Sequence, residues 1–203
     1  MRGLYLITND DAFDLLISKL EKALSTRKIA LLQYRRKKVE KQNQTAEIKA
    51  ILELCNQYQV PLIINDDLAQ AAQFGAHLHL GQDDGEIFEA RQSLGVGAII
   101  GRTCLNSIEL AEKAIADGAS YIAFGAIYGS TTKPEAGNIG LEVIRQARAK
   151  FDMPICAIGG LTVENSQAVI DAGADSCAVV SDILGLDVAQ IPERVEAWAK
   201  LFN

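Results

Sequence analysis

The stretch Leu4-Tyr5-Leu6-Ile7-Thr8-Asn9-Asp10-Asp11 decides between two folds. Its first five residues read as an apolar strand, and the turn that follows is polar and lacks glycine. An open, doubly wound α/β sheet announces itself with a glycine-rich turn at this place, because its backbone must approach a bound phosphate closely. A closed barrel makes no such demand.

Outward from that turn, short apolar runs alternate with longer amphipathic segments to the end of the chain. Strands are expected at 4–8, 29–34, 62–65, 78–81, 98–103, 121–127, 155–159 and 177–181. Helices are expected at 12–26, 45–57, 68–73, 87–94, 107–116, 141–150, 163–172 and 189–202. The segment Ile108, Leu110, Ala111, Ala114, Ile115 carries the helical stripe most clearly. Asp117-Gly118 and Ala172-Gly173 place glycine just past a helix, where a positive φ is wanted. Eight strand–helix units fit a single compact (β/α)8 TIM barrel over residues 1–203, with no linker or composition break to mark a second domain.

Composition narrows the function. About half of the 203 residues are apolar, which suits one sizeable core. A net charge of −6 without a long basic block speaks against a nucleic-acid partner. No apolar run approaches the length of a membrane span, and Met1-Arg2-Gly3 leads directly into a strand pattern, so no signal peptide is expected. Cys55, Cys104, Cys156 and Cys177 lack metal-site spacing and read as buried, reduced thiols. The expected location is the cytoplasm.

In a barrel of this kind the active site lies at the C-terminal ends of the strands, and the polar residues gather there. The second strand runs into Gln33-Tyr34-Arg35-Arg36-Lys37. Alternation puts Gln33, Arg35 and Lys37 on one side and Tyr34 and Arg36 on the other. A guanidinium and an ammonium together at a barrel mouth are costly unless an anion joins them. The third strand ends in Asn65-Asp66-Asp67 and the fourth in His79-Leu80-Gly81-Gln82-Asp83-Asp84. Asp66 and Asp84 follow neighbouring strands, and two carboxylates that close need a cation or a proton between them. Mg²⁺ suits such a pair, with water and a substrate phosphate completing its shell. Asp67 and Asp83 are the expected helix caps. His77 and His79, alternating with leucine, read as core or supporting histidines.

Thr103 closes the fifth strand, and the longest irregular stretch, 128–139, carries Ser130-Thr131-Thr132-Lys133. Gly159-Gly160 follows the seventh strand, and Thr162 is expected to cap the next helix. Backbone N–H groups and a helix dipole would favour an anion there, beside Val180 and Ser181 on the eighth strand. Two anion sites result. One is cationic, from Arg35, Lys37 and Lys133 near the carboxylates; the other uses the neutral donors of Gly160, Ser181 and the Ser130 loop. The charged leaving group of a reaction belongs at the first and a spectator phosphate ester at the second.

The chain resembles the thiamine phosphate synthase family over nearly its whole length. The matching pieces are Leu4-Tyr5-Leu6-Ile7-Thr8, Gln33-x-Arg35-x-Lys37, Asn65-Asp66 and His79-Leu80-Gly81-Gln82-x-Asp84. Gly101-x-Thr103, Ser130-x-Thr132-Lys133, Ala157-Ile158-Gly159-Gly160 and Ala178-Val179-Val180-Ser181 follow in order. The resemblance implies attack of a thiazole phosphate nitrogen on the methylene of a hydroxymethylpyrimidine pyrophosphate, giving thiamine phosphate and pyrophosphate. It implies early loss of pyrophosphate, so no protein nucleophile is needed. Carried over by position, Asp66 and Asp84 bind Mg²⁺, and Arg35, Lys37 and Lys133 hold the pyrophosphate, with Thr103 nearby. Gln33 and Asn65 contact the pyrimidine. Ser130, Thr131, Thr132, Gly160, Val180 and Ser181 hold the thiazole phosphate. The family also carries an expectation of a homo-oligomer.

Departures from the family pattern are Thr103 for Ser, Ser130 for Thr, Asp67 for Arg and Ala126 for Pro. The stretch before His79 is one residue short, and Asp182 adds a carboxylate beside the expected phosphate. A thiazole tautomerase of the same superfamily is the nearest rival. It uses a histidine after the fifth strand, where this chain has Thr103-Cys104-Leu105-Asn106. A non-catalytic phosphate binder would have no use for a leaving-group site.

Overall fold

A computed structural model describes residues 1–129 and 138–203. Ser130, Thr131, Thr132 and Lys133, all expected in the site, lie outside the described residues. Eight parallel strands close into a barrel in sequence order. They are β1 (Gly3–Ile7), β2 (Ile29–Tyr34), β3 (Leu62–Asn65), β4 (His77–Leu80), β5 (Ile100–Thr103), β6 (Tyr121–Phe124), β7 (Ile155–Ile158) and β8 (Ser176–Val179). Between them run α1 (Phe13–Ser25), α2 (Lys41–Tyr58), α3 (Leu68–Phe74), α4 (Ile87–Leu94), α5 (Ile108–Ala116), α6 (Glu142–Lys150) and α7 (Gln167–Asp171). The chain ends in α8 (Ser181–Leu184), a 3-10 turn at Val188–Gln190 and α9 (Ile191–Leu201).

The strand period of two sorts the core into two clusters. Tyr5, Ile7, Leu31, Ile63, Tyr121, Ala123, Cys156 and Ala178 fill the barrel. Their chain neighbours, among them Leu4, Leu6, Leu32, Ile64, Leu78, Ile122 and Cys177, pack outward against the helices. Register keeps the inward set level: Tyr5 pairs with Leu31 and Ala178, His79 with Asn65 and Gly101, and Gly101 with Tyr121. The inward row of β2 therefore continues through Gln33 toward the mouth, while Tyr34 and Arg36 turn outward to Glu47 of α2.

Several expected boundaries move. β2 ends at Tyr34, so Lys37 sits in the following turn rather than on the strand. β6 ends at Phe124, three residues before the expected end. Asp67 caps α3 by accepting from Gln70 N–H at 2.9 Å, but Asp83 caps nothing: the residue before α4 is Glu86. The helix expected from 163 starts only at Gln167, so Thr162 is not its cap. Asn165 explains the delay. Its side chain accepts from Thr162 N–H at 2.9 Å and donates to Gly160 O at 2.8 Å, closing a turn where a first helical turn would stand. β8 stops at Val179, and Ser181 opens α8 instead of ending the strand.

Candidate active site

A cavity of about 350 Å³ opens at the C-terminal end of β2 and β3. Arg35, Lys37, Lys41, Asn65, Asp66 and Asp84 line it, so residues from three βα connections meet in one place. Thr8 fixes the first of these: its hydroxyl accepts from Arg35 N–H at 2.8 Å. Arg36, buried and facing away, ties that connection down by donating to Asn9 O and Asp11 O at 2.8 Å each. Glu47 balances its charge, with Arg36 Nε 2.8 Å from Glu47 Oε2. One arginine of the basic run thus serves the scaffold and leaves Arg35 and Lys37 for the cavity.

The carboxylate pair lies on the cavity wall. Asp66 adopts a left-handed backbone (φ 62°), a conformation that non-glycine residues hold mainly where surrounding contacts enforce it. The enforcing contacts are present. Asp66 N–H donates to His79 O at 2.8 Å, and Gly81 N–H donates to Asp66 Oδ1 at 3.2 Å. Asn65 Nδ2 and Lys37 Nζ lie 2.5 and 2.9 Å from Asp66 Oδ2. Burial works to raise the Asp66 pKa, but Lys37 and the Gly81 N–H outweigh it and hold the carboxyl below its ordinary range. Burial and the neighbouring Asp66 charge push Asp84 the other way, above its ordinary range. The two carboxyls also hydrogen-bond to each other, as a pair sharing one proton does, with Lys37 beside Asp66.

Those observations also test the group the family implies. Among the described residues, no three His, Cys, Asp or Glu side chains gather closely enough to form a full protein cage for a metal ion. Mg²⁺ does not require one, since it binds through one or two carboxylates and keeps water and phosphate oxygens as its other ligands. Two adjacent hard-oxygen donors with opposed pKa shifts fit that ion.

Below the cavity, a hydrogen-bonded chain crosses the barrel. Gln33 Nε2 donates to the Tyr5 hydroxyl at 2.7 Å, and the Tyr5 and Tyr121 hydroxyls are 2.9 Å apart. Tyr121 Oη lies 2.8 Å from His79 Nδ1, and His79 Nε2 lies 2.9 Å from Thr103 Oγ1. One direction leaves no buried proton without an acceptor. With Gln33 donating, Tyr5 donates to Tyr121, Tyr121 to His79 Nδ1, and His79 Nε2–H to Thr103. The Thr103 hydroxyl is then free to donate into the site. Burial lowers the His79 pKa to about 4, so the ring is neutral near pH 7 and holds this tautomer. Tyr121 stacks on His79 with ring centroids 5.6 Å apart and meets Tyr5 edge-on at 6.0 Å.

The second expected anion site lies across the mouth. Gly160, at φ +64°, packs so tightly on the β6 connection that a Cβ would lie 2.6 Å from Gly129 O. Glycine is therefore required there by backbone packing as well as conformation. Val180 and Ser181 follow the adjacent strand, and Ser181, as the first residue of α8, has no intrahelical acceptor for its N–H. Asp182, one residue further on, is held by α9. Its carboxylate accepts from Trp198 Nε1 at 2.6 Å and from Arg194 Nε at 3.0 Å. Asp67, the other acidic departure, spends its charge on capping α3 and on Lys41 at 2.9 Å.

Sequence reasoning passed over Tyr5, Tyr121, Lys41, Arg102 and Arg194. The tyrosines occupy inward strand positions where aromatic residues usually mean core. Arg102 faces outward from β5 and donates to Gly85 O at 2.6 Å and Gln82 O at 3.0 Å, fixing the loop that carries Asp84. Position in the strand period was the available signal for Tyr5, Tyr121 and Arg102.

The chain is similar to known proteins over nearly its whole length. The family model described as thiamine monophosphate synthase matches residues 4–183. A thiamine-phosphate synthase of Azoarcus sp. (strain BH72) is 45% identical over 204 residues, covering 100% of this chain and 98% of the relative. A thiamine phosphate pyrophosphorylase from Pyrococcus furiosus superposes with a TM-score of 0.86 at 26% identity, covering 98% of this chain and 95% of that one. A thiamine phosphate pyrophosphorylase from Bacteroides thetaiotaomicron, at 16% identity and a TM-score of 0.71 over 98% and 96% of the two chains, shares the fold. On these matches, the chain belongs to the thiamine monophosphate synthase family and is a transferase of thiamine biosynthesis.

Proposed function

We propose that the chain joins a pyrimidine pyrophosphate to a thiazole phosphate by a Mg²⁺-assisted dissociative substitution, with the pyrophosphate leaving into the Arg35–Asp66–Asp84 cavity. The observation that carries this reading is the paired carboxylates set against cations in one cavity. Asp66 and Asp84 would hold Mg²⁺, which supplies charge stabilisation to a departing pyrophosphate. Arg35 adds a cation, and Lys37 has one to give once Asp66 is otherwise neutralised. The Thr103 hydroxyl, its own acceptor sites turned toward His79, donates to a phosphate oxygen. Lys133 joins them by position in the sequence.

Gln33 and Asn65 face the mouth from β2 and β3 and orient the pyrimidine, over a floor made by Tyr5, Tyr121 and His79. That floor matters electronically. An electron-poor carbocation is best served by neutral aromatic rings, and burial holds His79 uncharged. Gly160, Val180 and Ser181, with Ser130, Thr131 and Thr132 by sequence position, hold the thiazole phosphate. The chain lacks a readable nucleophile pair, and the proposed reaction needs none. The four free, buried cysteines, with thiols pushed up to about 12 by burial, suit a reducing cytoplasm. Among the described residues no helix is long and apolar enough to cross a membrane.

The test is product formation from the two purified substrates with Mg²⁺ and with EDTA. Thiamine phosphate is expected only with metal. Asp84→Ala is expected to lower kcat/KM by at least about 100-fold. Full activity in EDTA, or in Asp84→Ala, would remove the metal assignment. Binding of thiazole phosphate without turnover under any condition would instead favour a binder.

A further inference from the structure

Arg194 lies on α9, outside the barrel, and joins two segments that meet at the second anion site. Its Nε and Nη2 donate to Asp182 at 3.0 and 2.5 Å, and its Nη1 and Nη2 donate to Glu164 at 2.6 and 2.7 Å. Asp182 directly follows Ser181 in α8, and Glu164 lies four residues after Gly160 in the β7–α7 connection. The Asp182 side chain is only 8% exposed, and the buried Trp198 donates to it from the same helix as Arg194. Left unpaired, that carboxylate would stand one residue from the place assigned to a phosphate. Its buried setting would make its repulsion strong.

We propose that Arg194 is a positioning residue for the thiazole phosphate site: it holds the Gly160 and Ser181 segments together and neutralises Asp182. This rests on the assignment of the thiazole phosphate to Gly160, Val180 and Ser181. A planar guanidinium suits the task because one rigid fork meets two carboxylates at once, which an ammonium cannot do. Arg194 also holds the Glu164 carboxyl down at about 2, though solvent screens an exposed pair of this kind. The acidic departure at position 182 and its compensation thus come from opposite ends of one hydrogen-bonded cluster.

Calorimetric titration with thiazole phosphate, paired with steady-state kinetics in both substrates, tests this. Arg194→Met is expected to raise the Kd for thiazole phosphate about tenfold, the order set by one newly unpaired, partly buried carboxylate. The KM for the pyrimidine pyrophosphate should stay within about twofold, because that substrate sits at a separate site. Asp182→Asn in the Arg194→Met background should recover most of the affinity, and Arg194→Lys should fall between. A role in stability alone predicts no split between substrates, since Asp182→Asn would then restore both together. Thermal melts identify any variant too unstable to titrate, and Arg194→Lys then carries the comparison. If Ser181→Asp, which sets a carboxylate against the phosphate place, weakens thiazole phosphate binding while Arg194→Met leaves it within twofold, the inference is wrong and the site assignment stands. If Ser181→Asp also has no effect, the site assignment itself is wrong.

Discussion

Gly101 shows how much one residue can set in this barrel. It pairs with Tyr121 across β5 and β6, and a Cβ built on it would lie 2.0 Å from Tyr121 Cζ and 2.4 Å from the hydroxyl. The missing side chain is the space the Tyr121 ring occupies. That ring supplies the middle link between Tyr5 and His79, so glycine on one strand sets the direction of a hydroxyl on another. Gly101→Ala must therefore displace the ring and break the chain at both of its ends. Overpacking of this kind costs on the order of 1–3 kcal/mol. The unfolding free energy in urea should fall by that amount, and turnover should fall with it as Thr103 loses its fixed orientation. An alanine variant with unchanged stability and turnover would mean that Tyr121 relaxes freely and the network does not order the site.

Connections between strands and helices carry the chemistry, and they were legible to different degrees. The polar strand ends could be read because alternation and barrel topology together dictate where they point. The Asp67 cap was legible because a short acidic side chain before a helical stripe has one obvious use. The start of α7 was not, because Asn165 satisfies the turn through its side chain, which no periodicity records. A four-residue helix such as α8 has no period at all. Arg194 and Arg102 escaped for a further reason: a partner 12 to 30 residues away in sequence leaves no local mark. Arg102 makes the consequence testable. It braces the 81–86 loop through two carbonyls, and that loop presents Asp84. Removing a support behind a metal ligand commonly weakens metal affinity 10- to 100-fold, roughly. Arg102→Met should raise the Mg²⁺ concentration for half-maximal activity about tenfold while saturating Mg²⁺ restores most of the rate. A requirement within twofold of the parent chain would separate Arg102 from Asp84.

At the scale of the molecule, a hydrogen-bonded chain from Gln33 to Thr103 crosses an otherwise largely apolar barrel interior. The protein must therefore bury a neutral imidazole to keep that chain intact. Unfolded, His79 takes a proton near 6.5; folded, burial delays this to about 4. Between those values the unfolded chain binds more protons than the folded one, so stability rises with pH there. Stated in the other direction, the His79 contribution is complete above 6.5 and is lost as pH falls toward 4, a change on the order of 3 kcal/mol. His77, half-buried and also held below its ordinary value by burial, adds a smaller share in the same window. The depressed carboxylates of Asp11, Asp66 and Asp67 lose their contributions at lower pH, beneath the ordinary carboxylate range. Urea unfolding at pH 7 and pH 4.5 should therefore show a marked drop for the parent chain, before the carboxylates dominate. His79→Gln keeps a side chain able to hydrogen-bond but cannot titrate. Its stability at pH 7 should be lower than the parent's, yet its drop between the two pH values should be much smaller, with His77 leaving the remainder. A parent chain equally stable at both values would show that His79 takes up its proton without disturbing Tyr121 or Thr103.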